Sequence, residues 1–178
     1  MSIPYCLRRA ALIAAATVLA ACSPAFNWRE VPVGDAGVVV LLPCKPDRAT
    51  RQLPLGTEAV PVDMTGCKAG GATFAVAHAT AGSAEEAERW MRAWRAATRS
   101  QLASAQVVEA SATVPRAAAS PAPARLDTQR PAAGAEPAHV LWFAQQRPGG
   151  ISIYQATVLG SPSSSEALAT FFEGFRIP

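Results

Sequence analysis

The chain predicts an α+β fold: a mainly antiparallel sheet of about six or seven strands covered by one long and one short helix, sandwich-like in the α/β/α sense. Three observations carry this. Short β-rich runs recur in pairs joined by turn-prone strings, and strands so joined must run antiparallel. Two Ser-x-x-Glu strings, at Ser83 and Ser163, each precede a segment with helical apolar spacing. The helices follow blocks of strands instead of alternating with them, which separates the two kinds of layer. With 178 residues, 50% of them hydrophobic, the chain can bury one core.

Trp28–Val33 and Val38–Leu42 are β-rich and flank Gly34-Asp35-Ala36-Gly37, so they read as a hairpin. Pro32 requires an edge strand or a bulge there. Pro43-Cys44-Lys45-Pro46-Asp47 stops the second strand. Glu58–Met64 and Ala72–Ala79 read as the next two strands, with Gly66 and Gly70-Gly71 in the gap. Phe74, Val76 and His78 share one face of the later strand, and Ala75, Ala77 and Ala79 the other. Both faces are largely apolar, which suits a central strand covered on both sides.

Ser83 and Glu86 form a capping box, opening a helix expected over Ala84–Ala105. Trp90, Met91, Trp94, Ala97 and Leu102 make its apolar stripe, flanked by Arg89, Arg92, Arg95 and Arg99. Such a helix can lie on phospholipid or dock on the sheet through its tryptophans. The second reading supplies the cover the sheet needs. Ala110–Pro137 is rich in Ala, Pro and Ser and reads as a long surface excursion holding one strand around Ala124–Gln129. His139–Gln145 and Ile151–Val158 form the clearest hairpin, across Arg147-Pro-Gly-Gly150. A second capping box, Ser163 with Glu166, opens a short helix carrying Ala167, Leu168, Phe171, Phe172 and Phe175, which Gly174 ends. The order is four strands, a long helix, two or three strands and a short helix. Its opening Trp-containing strand and closing Phe-Phe-Glu-Gly-Phe helix resemble, in topology, the Mog1/PsbP-like α/β/α sandwich.

Ahead of these elements, Arg8-Arg9 precede an apolar run that ends in Leu19-Ala20-Ala21-Cys22. The run is too short for a spanning helix, which needs roughly 20 apolar residues. An ordinary secretory signal would leave the Leu-Ala-Ala-Cys order to coincidence. The string resembles the lipobox of bacterial lipoproteins, and the whole chain is similar to small proteobacterial envelope lipoproteins of unassigned activity. The resemblance implies a signal peptide over 1–21, cleavage before Cys22 and acylation of Cys22. It also implies a lipidated tether over 22–27 and a single domain over 28–178. Ser23 stands where an aspartate favours the inner membrane in such lipoproteins, so the implied address is the outer membrane, facing the periplasm. Three acyl chains, at about 0.8 kcal/mol per buried methylene, would hold the domain there. The expected partners are the membrane, through Cys22, and a second envelope protein.

An envelope compartment is oxidising, so the remaining pair, Cys44 and Cys67, is most simply a structural disulfide. A metal site would want more ligands at closer spacing, and a redox pair would usually be Cys-x-x-Cys. Cys6 would leave with the signal.

The formal charge of +3 shrinks on cleavage, since Arg8 and Arg9 leave with the signal: 16 − 2 = 14 basic residues then face 13 acidic ones. A nearly neutral domain gives no reason to expect nucleic acid. The chemical inventory is thin. His78 and His139 are the two histidines, and neither sits in a metal-ligand string. No Gly-x-Ser-x-Gly elbow is present, and Ser163, Ser164 and Ser165 serve as cap and loop residues. Asp47 with Asp63 could in principle work as an acid–base pair. Gly70-Gly71 lacks the helix that a phosphate loop requires. No catalytic, cofactor or metal set is therefore expected. A non-catalytic binding or assembly module is the leading expectation. The alternative is an envelope enzyme with a site assembled from His78, Asp63 and His139.

Overall fold

The computed structural model describes residues 25–178; the expected signal peptide and Cys22 lie outside the described residues. Among the described residues the chain forms β1 (Arg29–Val33), β2 (Val38–Leu42), β3 (Asp47–Leu55), β4 (Glu58–Ala69), β5 (Ala72–Ala81), α1 (Ala84–Gln101), β6 (Gln106–Ser111), β7 (Ala124–Arg130), β8 (Ala138–Arg147), β9 (Gly150–Gly160) and α2 (Glu166–Glu173). Seven strands make one sheet in the order β3-β4-β5-β9-β8-β7-β6, with every neighbouring pair antiparallel. β1 and β2 form a separate two-stranded ribbon. The fold is α+β, a largely antiparallel sheet covered by helices.

Two-residue periodicity builds the layers. On β5, Phe74 and Val76 point to one face, where they meet Val33, Val38 and Val40 of the ribbon and Phe171 beside them. Ala77, Ala79 and Ala81 point to the other face, where Trp90, Met91 and Trp94 of α1 pack on them. Small side chains on that face of β5 leave room for two indoles. The arginines of α1 are held by acids of the protein: Arg89 by Glu58 and Glu85, Arg92 by Glu88, and Arg95 and Arg99 by Glu109. The helix therefore docks on the sheet. No helix among the described residues is long and apolar enough to cross a membrane.

Several sequence expectations need correction. β3 was not foreseen, because it lies at the sheet edge and exposes most of its side chains. β4 does not end near Met64 but runs through Gly66 to Ala69, so Cys67 lies in a strand opposite Phe74 and not in a turn. Gly66 permits this, since a Cβ there would meet the Phe74 carbonyl oxygen at 2.6 Å. α1 stops at Gln101, with Leu102 as its C-cap. The first cap forms as expected: Ser83 Oγ accepts from the Glu86 N–H, while Glu86 Oε2 accepts from Gly82 N–H. The second does not, since α2 starts after Ser165 without a side-chain cap bond.

The excursion expected over 110–137 overlaps the end of β6 and contains all of β7. Between those strands Val114 and Pro121 are buried, and the Ala118 N–H donates to the Ala144 carbonyl at 2.7 Å. The expected tether is shorter too. Phe26 already stacks on Trp28, Trp28 meets Phe74 edge-on, and the Asn27 N–H donates to the Pro43 carbonyl.

Cys44 and Cys67 are joined by a disulfide, with their Cα atoms 5.9 Å apart and the two residues 23 positions apart in sequence. It ties the ribbon's exit to β4. By the chain-entropy estimate, a loop of this length contributes about 3 kcal/mol. Replacing both cysteines by serine should lower Tm by roughly 6–12 °C for a domain of this size. Calorimetry that finds the midpoint unmoved would show that the bridge adds no stability. Limited trypsin digestion should cut first at Arg116, which is exposed and has φ 64°. Arg125 lies in β7 between β6 and β8 and should resist; early cleavage there would contradict the paired strand.

Candidate functional site

One row of residues crosses five strands. Thr50 on β3 faces Asp63 on β4, Asp63 faces His78 on β5, His78 faces Tyr154 on β9, and Tyr154 faces Phe143 on β8. All five point to the ribbon side of the sheet. The row runs from water into the core. The Thr50 hydroxyl donates to Asp63 Oδ1, and Asp63 Oδ2 stands 3.9 Å from His78 Nε2. His78 stacks on Tyr154 at 5.7 Å, and Tyr154 stacks on Phe143 at 4.8 Å. The Tyr154 hydroxyl donates to Gln145 Oε1.

The tip of the ribbon stands over the polar end of this row and leaves an open groove of about 710 Å³. Arg48 and Thr50 of β3, Asp63 and Thr65 of β4, and His78 and Thr80 of β5 line it, with Gly34 and Asp35 as its wall. Gly34 is required on two counts. Its φ of +68° is left-handed, and a Cβ there would come within 2.6 Å of His78 Nε2.

Three contacts fix the ribbon tip to the sheet. Asp35 Oδ1 lies 2.9 Å from Arg147 Nη1. Gln145 Nε2 donates to the Ala36 carbonyl at 3.1 Å. Arg48 Nη2 donates to the Pro32 carbonyl at 2.9 Å, and its Nη1 to Thr65 Oγ1 at 3.3 Å.

Burial sets the charge state of His78. Desolvation lowers its pKa below 6.5, and the nearby Asp63 and Asp35 carboxylates only partly oppose this. Its Nδ1 is buried without a hydrogen-bond partner. An unpaired donor costs more than an unpaired lone pair, so the proton belongs on Nε2, the nitrogen on the side of Gly34 and Asp63. The hydrogen bond from Arg147 holds the Asp35 carboxyl below its usual range, and burial pushes the Tyr154 hydroxyl up.

The structure thus joins His78 and Asp63 and separates both from His139. His139 faces Val158, which faces Phe74, four residues before His78 on β5 and roughly 13 Å along the strand. His139 Nδ1 sits 2.7 Å from Asp127 Oδ1, and Arg125 grips Asp127 at 2.8 and 3.0 Å. Burial works against the Asp127 carboxylate, but hydrogen bonds from Arg125 and His139 outweigh it and lower its pKa. Arg125 in turn lies 4.3 Å over the Phe172 ring. This cluster is compensated internally. Asp47 and Asp63 do not pair either. Asp63 faces Thr50, so Asp47, three residues before Thr50, points to the opposite face. Cys44 and Cys67 belong to the scaffold near Phe74, and Cys22 lies outside the described residues.

Arg48, Thr50 and Thr65 were not foreseen, because their convergence depends on β3. Among the described residues no three His, Cys, Asp or Glu side chains gather as a metal site. The groove offers hydroxyls, one imidazole N–H, one guanidinium and two carboxylates on a rigid strand floor. That set suits hydrogen bonding to a hydrophilic ligand. The chain matches no family model and no curated protein.

The shift of His78 has a defined sign in stability. Well above pH 6.5 the imidazole is neutral in both folded and unfolded chains. As pH falls below that value, the unfolded chain takes up a proton first, and stability is lost until the folded value is passed. Between about pH 7 and 5, Tm should fall more steeply in the wild type than in His78→Gln. Equal slopes would show that burial does not govern this imidazole.

Proposed function

We propose that the protein is a lipid-anchored module of the bacterial envelope that binds a hydrophilic ligand in the groove beside His78. It holds that ligand without transforming it. The address rests on Leu19-Ala20-Ala21-Cys22, with Cys22 as the acylated residue and the outer membrane, periplasmic side, as the location. The binding role rests on one observation above others: a polar groove of ligand size, built on paired strands and walled by a clamped turn. Ligand pockets commonly fall between roughly 300 and 1,000 Å³.

The two ends of β1 support the same reading. Phe26 and Trp28 pack at its start, and Gly34 overhangs the groove just past its end. Six residues of strand from Trp28 to Gly34 span roughly 20 Å. An anchor at Cys22, three residues before Ala25, would therefore hold the bilayer at one pole and leave the groove at the other. The enzyme alternative draws on the neutral His78 beside Asp63.

Mass analysis of the mature amino end should find acylated Cys22, and Cys22→Ala should abolish lipid labelling and leave an unprocessed precursor. Cleavage at another residue with no acyl mass would overturn the address.

A further inference from the structure

About half of the charged side chains among the described residues find a partner of opposite sign, and others, such as Arg51 and Lys68, stand alone on the surface. Arg95 and Arg99 share Glu109, Arg125 holds Asp127, Arg176 meets Glu30, and Arg147 meets Asp35 at the groove wall. Two side chains that line the groove also lack a charged partner of opposite sign. The Arg48 guanidinium donates to a carbonyl and a hydroxyl, both neutral. The Asp63 carboxylate accepts from the Thr50 hydroxyl and stands beside an imidazole that burial keeps neutral.

Arg48 and Asp63 also do not close on each other. Arg48 faces Thr65 and Asp63 faces Thr50, so the two sit on the diagonal of the β3–β4 pair, where residues are about 7–8 Å apart. The Pro32 carbonyl draws Arg48 toward the ribbon, and Thr50 holds Asp63 at the strand. One positive and one negative group thus face the same groove, each lacking a charged mate.

From this pair, and resting on the binding role proposed above, we infer that the groove takes a free α-amino acid as its zwitterion, ammonium on Asp63 and carboxylate on Arg48. The charge count carries the choice. A simple anion would meet Asp63, and a simple cation would meet Arg48, so each gains one contact and suffers one repulsion. A zwitterion alone satisfies both. The Thr65 and Thr80 hydroxyls and His78 Nε2–H add uncharged bonds along the floor, and the groove leaves room for a side chain.

The test is an NMR titration of the mature chain, following the amide signals of Thr65 and Thr80 and the ring signals of His78. The probes are glycine, N-acetylglycine, glycine ethyl ester and D-glucose. Glycine should shift these signals, and each blocked form should bind roughly tenfold more weakly, since each loses one charge-assisted contact. In Asp63→Asn the preference for glycine over N-acetylglycine should vanish. In Arg48→Gln the preference over the ester should vanish. Both side chains are exposed, and the amide spectra report whether the variants keep the fold. Blocked forms that bind as well as glycine, or variants that keep both preferences, would overturn the assignment. Groove signals that respond to glucose and not to glycine would overturn the zwitterion while leaving a hydrophilic-ligand groove standing. No response to any probe would overturn the binding role as well. Acylation of Cys22 is read separately by mass, so the address stands or falls apart from the ligand.

Discussion

β5, β8 and β9 carry apolar side chains on both faces, and a sheet of that kind cannot leave either face to water. Phe74, Val76, Phe143 and Val158 demand cover on one side; Ala79, Trp142, Ala144 and Ile153 demand it on the other. A single helix can serve only one face. α1 takes the second with its two tryptophans, and the first goes to the ribbon together with α2. The ribbon's position follows from that demand. It lies where the apolar rows are and stops where they give way to polar ones on β3 and β4. The groove is the remainder, the part of the sheet face that needed no cover.

The row from Thr50 to Phe143 shows the change of environment residue by residue. Phe143 and Tyr154 are fully buried and stack nearly parallel, with 7° between their planes. Thr50 and Asp63 are exposed. His78 sits between, 8% exposed, with one nitrogen sealed and the other on the groove side. Its lowered pKa, its stacking on Tyr154 and the glycine at position 34 have the same origin. A polar ring is clamped between an aromatic core and a turn that approaches too closely for a side chain.

Elements that bury a periodic face were legible from sequence. The β1–β2 hairpin, β5, α1 with its Ser83 cap, and the β8–β9 hairpin declare themselves by apolar spacing and turn residues. β3 does not, since from Asp47 to Gln52 every residue is exposed and no alternation results. Such a strand exists because its backbone pairs with β4, an interaction that leaves no mark on side-chain composition. β6, at the other edge, is also paired on one side only. The site inherited this blindness. His78 and Asp63 stood out as titratable residues in foreseen strands. Their company with Arg48 and Thr50 required β3 and its register. His139 was grouped with them on residue type alone, and the register moved it four positions along the sheet.

The separation of the two poles bears on how the groove keeps its charge balance. Under the proposed anchoring the groove stands roughly 20 Å beyond Trp28 along β1. At physiological ionic strength the Debye length is about 8 Å, so the potential of an anionic lipid surface is mostly screened at that distance. The charges a ligand meets are then those of the protein itself: Arg48 against Asp63, and Arg147 against Asp35. A groove beside the bilayer would sit in a negative field that favours cations over every other ligand. At the far pole, opposite charges of equal number can select a neutral ligand by the placement of its charges. The rigid path from Phe26 to Gly34, packed on Phe74 at one end and clamped by Arg147 and Gln145 at the other, maintains that distance.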